Sequence, residues 1–182
     1  MSILVISDTH GSTGAWERIK MYLKADVDCL IHAGDIYYFG PRNPVPEGHA
    51  PGSLASELNS LQIPLVCSKG NCDSDVDQLV SNFPICDPFA FVCIYNKRIF
   101  VTHGHRYSKE SLLNIAKQWK IDIVITGHTH VASLEKLDDI VFLNPGSSAL
   151  PKNFPGIGII NENSVDLYNL TDDLIVDKII LS

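Results

Sequence analysis

The sequence predicts an α/β protein in which two packed β-sheets carry helices on their outer faces. Two observations support this. In the first half, short Ile- and Val-rich runs alternate with segments of helical period, as in βαβ units and a parallel sheet. From residue 139 onward, strand-like runs follow one another with only turns between them, as in hairpins.

Residues 2–7 are a continuous apolar run, as expected of a strand buried on both faces. Residues 13–24 read as a helix, with Ala15, Trp16, Ile19 and Leu23 on one stripe and Ser12 or Thr13 as cap. Residues 27–33 form a second buried strand, 54–61 a helix and 63–68 a third strand. Between residues 37 and 53 lies a loop with Pro41, Pro44, Pro46 and Pro51 among several glycines. Structureless loops of that length in compact domains tend to be functional. Residues 89–95 and 98–102 flank Asn96-Lys97 as a hairpin. Leu112, Ile115, Ala116 and Trp119 mark a helix, and 121–126 a strand. The runs 140–143, 156–160, 164–170 and 174–181 complete the strand set.

The 182 residues show no repeat or linker and are taken as one domain, residues 1–182. Hydrophobic residues make up 45% and charged ones 19%, which excludes a disordered or fibrous chain. The net charge is −7, from 14 Lys+Arg against 21 Asp+Glu, and argues against long nucleic acids or anionic membranes as partners. No stretch free of charged residues exceeds 12, short of the ~20 that a membrane span needs. Residues 1–8 lack a basic region and their apolar run ends at Asp8, so no signal peptide is expected. The five cysteines contain no CxxC pair. They are read as small hydrophobes of a reducing, cytoplasmic compartment rather than disulfides or a thiolate zinc site.

The chemistry-bearing residues fall at the ends of the predicted strands. Asp8-Thr9-His10-Gly11 follows the first and Gly34-Asp35 the second, while Gly70-Asn71-Cys72-Asp73 follows the third. His103-Gly104-His105 and Gly127-His128-Thr129-His130 follow two later ones. Strand C-termini of open α/β sheets converge on one crevice, so these clusters are expected to face each other. Taken singly, each is an ordinary turn, cap or packed histidine. Five of the seven histidines in such segments point instead to a shared site.

Imidazole, carboxylate and amide donors without thiolates suit Mn²⁺, Fe²⁺ or Zn²⁺. Residues i and i+2 of an extended segment point the same way, so Asp8 and His10 are expected to chelate together, as are His128 and His130 if their loop is extended. Asp35 is placed to bridge two ions. Paired ions activate water and stabilise the charge of an in-line displacement at phosphorus.

These five segments, in this order, resemble the signature of the calcineurin-like metallophosphoesterase family. Residues 40–48, 70–78 and Asn144-Pro145-Gly146-Ser147 resemble its bacterial YfcE-type phosphodiesterase branch. The resemblance implies an αββα sandwich of two mixed sheets flanked by helices. It implies a first metal held by Asp8, His10, Asp35 and His130, and a second by Asp35, Asn71, His103 and His128. A hydroxide shared by the two ions would be the nucleophile. The metals implied are Mn²⁺ first, with Fe²⁺, Zn²⁺, Ni²⁺ or Mg²⁺ as alternatives. The expected partner is a small phosphodiester substrate, and the apolar residues around 37–39 and 89–91 suit a homo-oligomer interface and the core equally.

Many family members carry a His after the motif Asn, placed to protonate the leaving oxygen. This chain has Cys72 there, and a thiol of pKa ~8.5 is a weaker acid with poor hydrogen-bonding power. Cys72 is therefore assigned to the substrate pocket. His105 becomes the acid candidate, with orientation of His103 as its alternative role, and Asn71 counts as both ligand and catalytic residue. Arg42 is expected to grip a phosphate oxygen, against the alternative of pairing with Glu47. Asn144–Ser147 reads as a structural turn near the site. Asp73, Asp75 and Asp77 lack the later residues of a calcium loop, so Asp73 or Ser74 is read as a helix cap. Competing functions are a phosphomonoesterase or nuclease with the same metals, and a protein-binding scaffold that keeps the fold.

Overall fold

The computed structural model describes residues 2–181. In chain order the elements are β1 (Ser2–Ile6), α1 (Thr13–Lys20), β2 (Val27–His32), α2 (Pro51–Asn59), β3 (Leu65–Ser68), α3 (Asp75–Val80), β4 (Ile85–Cys86), β5 (Ala90–Ile94) and β6 (Lys97–Val101). They continue with α4 (Lys109–Trp119), β7 (Ile123–Ile125), β8 (Ser133–Leu137), β9 (Ile140–Asn144), β10 (Gly156–Ile160), β11 (Ser164–Asn169) and β12 (Leu174–Ile180).

The strands form two mixed sheets, ordered β12-β11-β10-β1-β2-β3-β4 and β5-β6-β7-β9-β8. The strands β1 to β4 run parallel, as do β6, β7 and β9, while the later hairpins add antiparallel margins. Alternate side chains of each central strand enter different layers, as the pleat requires. From β1, Ile3 and Val5 join Ile99, Val101, Ile123 and Leu143 of the second sheet in the core between the sheets. Leu4 and Ile6 face the other way, onto Trp16 and Ile19 of α1 and Leu54 and Leu58 of α2. Phe100, Val124 and Phe142 pack similarly against Leu112 and Ala116 of α4. Three apolar layers between four structural layers make the αββα sandwich, and explain why β1 reads as apolar throughout.

The element bounds differ from the sequence reading in instructive ways. The first helix ends at Lys20 rather than Lys24, and Ser12 caps it by accepting from Ala15 N. The second begins at Pro51, a residue suited to a first turn because it needs no N–H there. The hairpin turns at Tyr95-Asn96, both at positive φ, one residue earlier than expected. Strands β4 and β8 were not anticipated: β4 has two residues, and Glu135 and Lys136 dilute the apolar signal of β8. All five cysteines are free, but only Cys29 and Cys67 are buried, and Cys93 is exposed. Of the two apolar runs considered for an interface, Tyr37 is core and Phe89 stacks on Phe100, whereas Tyr38 and Phe91 are about half exposed.

Candidate metal centre

The loops following the parallel strands stay hydrogen-bonded after the strands end. Asp8 N donates to Gly34 O and His10 N to Asp35 O, both at 3.0 Å, while Gly127 N donates to His103 O at 3.1 Å. Ligands from both sheets are thereby brought to one edge of the sandwich. Asp8, His10, Asp35, His128 and His130 all have positive φ, between 47° and 68°. Side-chain-bearing residues rarely adopt this conformation, and it persists only where surroundings enforce it. The segments are therefore turned rather than extended, which corrects the basis given above for chelation. Asp8 and His10 still converge, but His128 and His130 separate: His130 meets His10, and His128 lies over His103 with ring centroids 5.2 Å apart.

Three imidazoles are oriented by the main chain. His10 Nδ1 lies 2.8 Å from Tyr38 O, His103 Nδ1 2.8 Å from Ala33 O and His130 Nδ1 2.8 Å from Leu150 O. A carbonyl can only accept, so each Nδ1 carries a proton and each Nε2 is turned to the centre, where it can give its lone pair to a cation. His10 Nε2 and His130 Nε2 face each other at 3.0 Å, and Asp8 Oδ1 is 3.2 Å from His130 Nε2 and 3.7 Å from His10 Nε2. His103 Nε2 lies 3.4 Å from Asp35 Oδ1. Asp8 Oδ1 and His103 Nε2 are buried without a hydrogen-bond partner among the described residues. Buried ring nitrogens and carboxylates that converge in this way suit a cation between them. The residues present therefore fit a divalent metal: Asp8, His10 and His130 form one group of convergent donors, and Asp8, Asp35 and His103 another.

The protonation balance agrees. Burial opposes charge on Asp8, but His130 and His103 outweigh it and hold the carboxyl below its usual range. Burial likewise opposes charge on Asp35, which His103 and the Cys72 N–H hold below its usual range. Despite its own burial, His103 is pushed up to about 9 by Asp35 and Asp8. The centre keeps two carboxylates charged and draws positive charge to them.

A supporting layer absent from the sequence reading holds these loops. Gly34 N donates to His32 Nδ1 at 3.1 Å, so His32 Nε2–H donates to Thr9 Oγ1 at 2.9 Å, and the Thr9 hydroxyl donates to Ile36 O at 2.9 Å. Burial pushes His32 down to about 3, so it stays neutral and ties the Asp8–His10 turn to the turn of Asp35. Thr9→Val keeps the shape but leaves His32 Nε2–H without its acceptor. The expected cost is about 1–3 kcal/mol, read as a lower urea midpoint at unchanged slope.

Asp73 is not the helix cap. Ser74 caps α3 in a capping box with Asp77, whereas buried Asp73 accepts from Asp35 N, Ile36 N and Gly70 N at 2.7–2.8 Å. Asp75 instead pairs with Lys69, so the acidic run does not converge on a cation. Ser147 Oγ donates to Asp8 O at 2.6 Å, and Asn144 Nδ2 to Gly127 O at 2.8 Å, which makes Asn144–Ser147 a brace between the sheets. Close approach explains two glycines: a Cβ on Gly70 would overlap Asp35 Oδ1, and one on Gly127 would overlap Ser7 Oγ.

The remaining expected residues lie at the rim. Asn71, His128, Arg42 and Lys152 line one cleft of about 530 Å³ with Asp35 and His130. Arg42 does not pair with Glu47, and neither Arg42 nor Lys152 is ion-paired among the described residues. The role of Lys152 was missed because a single lysine beyond a turn carries no sequence signal. Burial and Asp35 push the Cys72 thiol up to about 12, so it is a neutral group at the edge of the centre. His105 lies outside the donor groups, with its ring centroid 5.4 Å from that of His103 and its Nε2 accepting from Arg106 Nε at 3.1 Å.

The model of the calcineurin-like phosphoesterase superfamily domain matches residues 1–161. The chain belongs to this superfamily. Phosphodiesterase YfcE of Escherichia coli strain K12 is 34% identical over the whole of this chain and 99% of its own length. Probable metallophosphoesterase YsnB of Bacillus subtilis is 31% identical over 84% of this chain and 78% of its own. The solved structure of the E. coli YfcE phosphoesterase superposes with a TM-score of 0.89 at 32% identity, covering both chains fully. The calcineurin-like fold expected from the sequence is therefore established, and the protein is a phosphoester hydrolase. In this phosphoesterase no helix among the described residues is long and apolar enough to cross a membrane.

Proposed function

We propose that this phosphoesterase is a phosphodiesterase that acts on small diesters with two divalent cations, Mn²⁺ by preference. The observation that carries the reading is the set of three carbonyl-anchored imidazoles turned with two charged carboxylates onto one buried centre. Asp8, His10, Asp35 and His130 would hold one ion, and Asp35, Asn71, His103 and His128 the other. Asp8 contributes charge to both donor groups. Bound divalent ions supply Lewis acidity and lower the pKa of water towards neutrality.

The chain's own residues then position the ester. Arg42 and Lys152, cationic and unpaired on the cleft wall, favour an anionic phosphate at the mouth. That local charge reverses the overall −7 for a compact anion, while the acidic exterior repels a long one. Neutral Cys72, whose N–H donates to Asp35, adds no charge beside the cleft. His105 accepts at Nε2 from Arg106, so its proton sits on Nδ1, a buried atom with no partner among the described residues. With the ring turned towards the cleft, that N–H would donate a hydrogen bond to the leaving-group oxygen and stabilise the charge that develops there.

His105→Ala tests the assignment. It is expected to slow an alkyl diester about 10²-fold and bis-p-nitrophenyl phosphate only a few-fold, because nitrophenolate leaves without a proton. Equal slowing of both would remove the acid role. The function itself is tested with purified protein, added Mn²⁺ and three substrates: bis-p-nitrophenyl phosphate, p-nitrophenyl phosphate and single-stranded DNA. Turnover of the diester above the other two is expected; preference for the monoester or DNA would replace the reading.

A further inference from the structure

A second cavity of about 390 Å³ lies on the other side of the 127–131 loop, between α4, Thr126 at the end of β7, and the strands β8 and β9. Tyr107, Leu112, Val131, Phe142 and Leu143 give it a largely apolar wall. Polar groups are confined to a few positions, among them the Lys109–Glu135 ion pair, 2.7 Å long, which joins α4 to β8. His128, Thr129 and Val131 line this cavity and the metal cleft alike. One loop therefore separates a cleft lined by cationic and metal-ligating groups from an apolar space large enough for a ring. Pockets with apolar walls and few polar groups are the usual form of small-molecule subsites.

We propose that this cavity is a specificity subsite that takes an uncharged aromatic ring from the arm of the diester not expelled in the reaction. The proposal rests on the diesterase reading, which places the phosphorus beside His128. From there one ester arm runs over Thr129 and Val131 into the cavity. The continuity of the two spaces favours the substrate's own arm over a free anion, since the one lysine in the lining, Lys109, is already paired with Glu135.

The test compares phenyl p-nitrophenyl phosphate with methyl p-nitrophenyl phosphate, which share their leaving group and differ only in the retained arm. The phenyl ester is expected to show a KM about ten-fold lower, a usual return for filling an apolar pocket. Ser133 is exposed on β8 at the cavity lining, so Ser133→Phe narrows the space without entering the core. It should raise KM for the phenyl ester about ten-fold and leave the methyl ester unchanged. Independently of turnover, diphenyl phosphate should shift the amide resonances of Leu112 and Phe142, and dimethyl phosphate should not. Equal KM values, a Ser133→Phe effect shared by both esters, or undisturbed Leu112 and Phe142 amides would overturn the subsite while sparing the diesterase. Turnover of neither ester would overturn the diesterase reading and the subsite with it.

Discussion

Asp35→Asn should lower kcat/KM for bis-p-nitrophenyl phosphate with added Mn²⁺ by roughly 10³-fold, with an unchanged far-UV circular dichroism spectrum. Asp35 Oδ1 accepts from Cys72 N at 2.8 Å and lies 3.4 Å from His103 Nε2. The same carboxylate belongs to two groups of convergent donors, one with Asp8 and His103 and one with His10 and Cys72. An amide oxygen can keep the Cys72 hydrogen bond, so the turn retains its shape. It cannot supply the negative charge, and its NH₂ would repel a cation. Metal-ion stabilisation of a phosphoryl transition state is worth several kcal/mol, and each 1.36 kcal/mol is a factor of ten. Activity within ten-fold of the wild type would show that Asp35 is not a ligand.

Restoring Mn²⁺ to protein stripped with chelator should raise the melting temperature by roughly 5–10 °C. An ion at a hundred times its dissociation constant stabilises the native state by about 2.7 kcal/mol. For a chain of this length, each kcal/mol corresponds to about 2–4 °C. The physical source is the buried Asp8 Oδ1 and His103 Nε2, together with the His10 and His130 Nε2 atoms 3.0 Å apart. Ca²⁺ should give a smaller shift, because imidazole nitrogen suits it poorly. Asp35→Asn should reduce the Mn²⁺ shift to about 2 °C or less. Scanning fluorimetry measures all of these, and a Mn²⁺ shift below about 1 °C in the wild type would count against a metal centre.

Much of the fold was legible because its central strands are buried on both faces. Leu4 and Ile6 point to one layer and Ile3 and Val5 to another, so β1 is apolar at every position and stands out. The strands that escaped notice are those with little to bury, such as the two-residue β4. The centre was legible by residue type, since carboxylates and imidazoles beside glycines at strand ends have few other uses. Its second layer was not. Nothing adjacent to His32 or Asp73 in sequence indicates that one holds Thr9 and the other the amides of Asp35, Ile36 and Gly70.

Sequence alone determined which donors meet at the ends of the strands, because strand direction delivers them to one edge whatever the loops do. The −7 charge, read there as a bar to long polyanions, is a sum over residue types that likewise needs no fold. Tertiary structure decided how the donors meet. His128 and His130, two residues apart, part company because both backbones are held at positive φ, and His130 is oriented by Leu150, far along the chain. Only the packing of α4 against the second sheet creates the apolar cavity beside the cleft. Donor chemistry belongs to single residues, whereas backbone strain and shared walls come from contacts between segments distant in sequence.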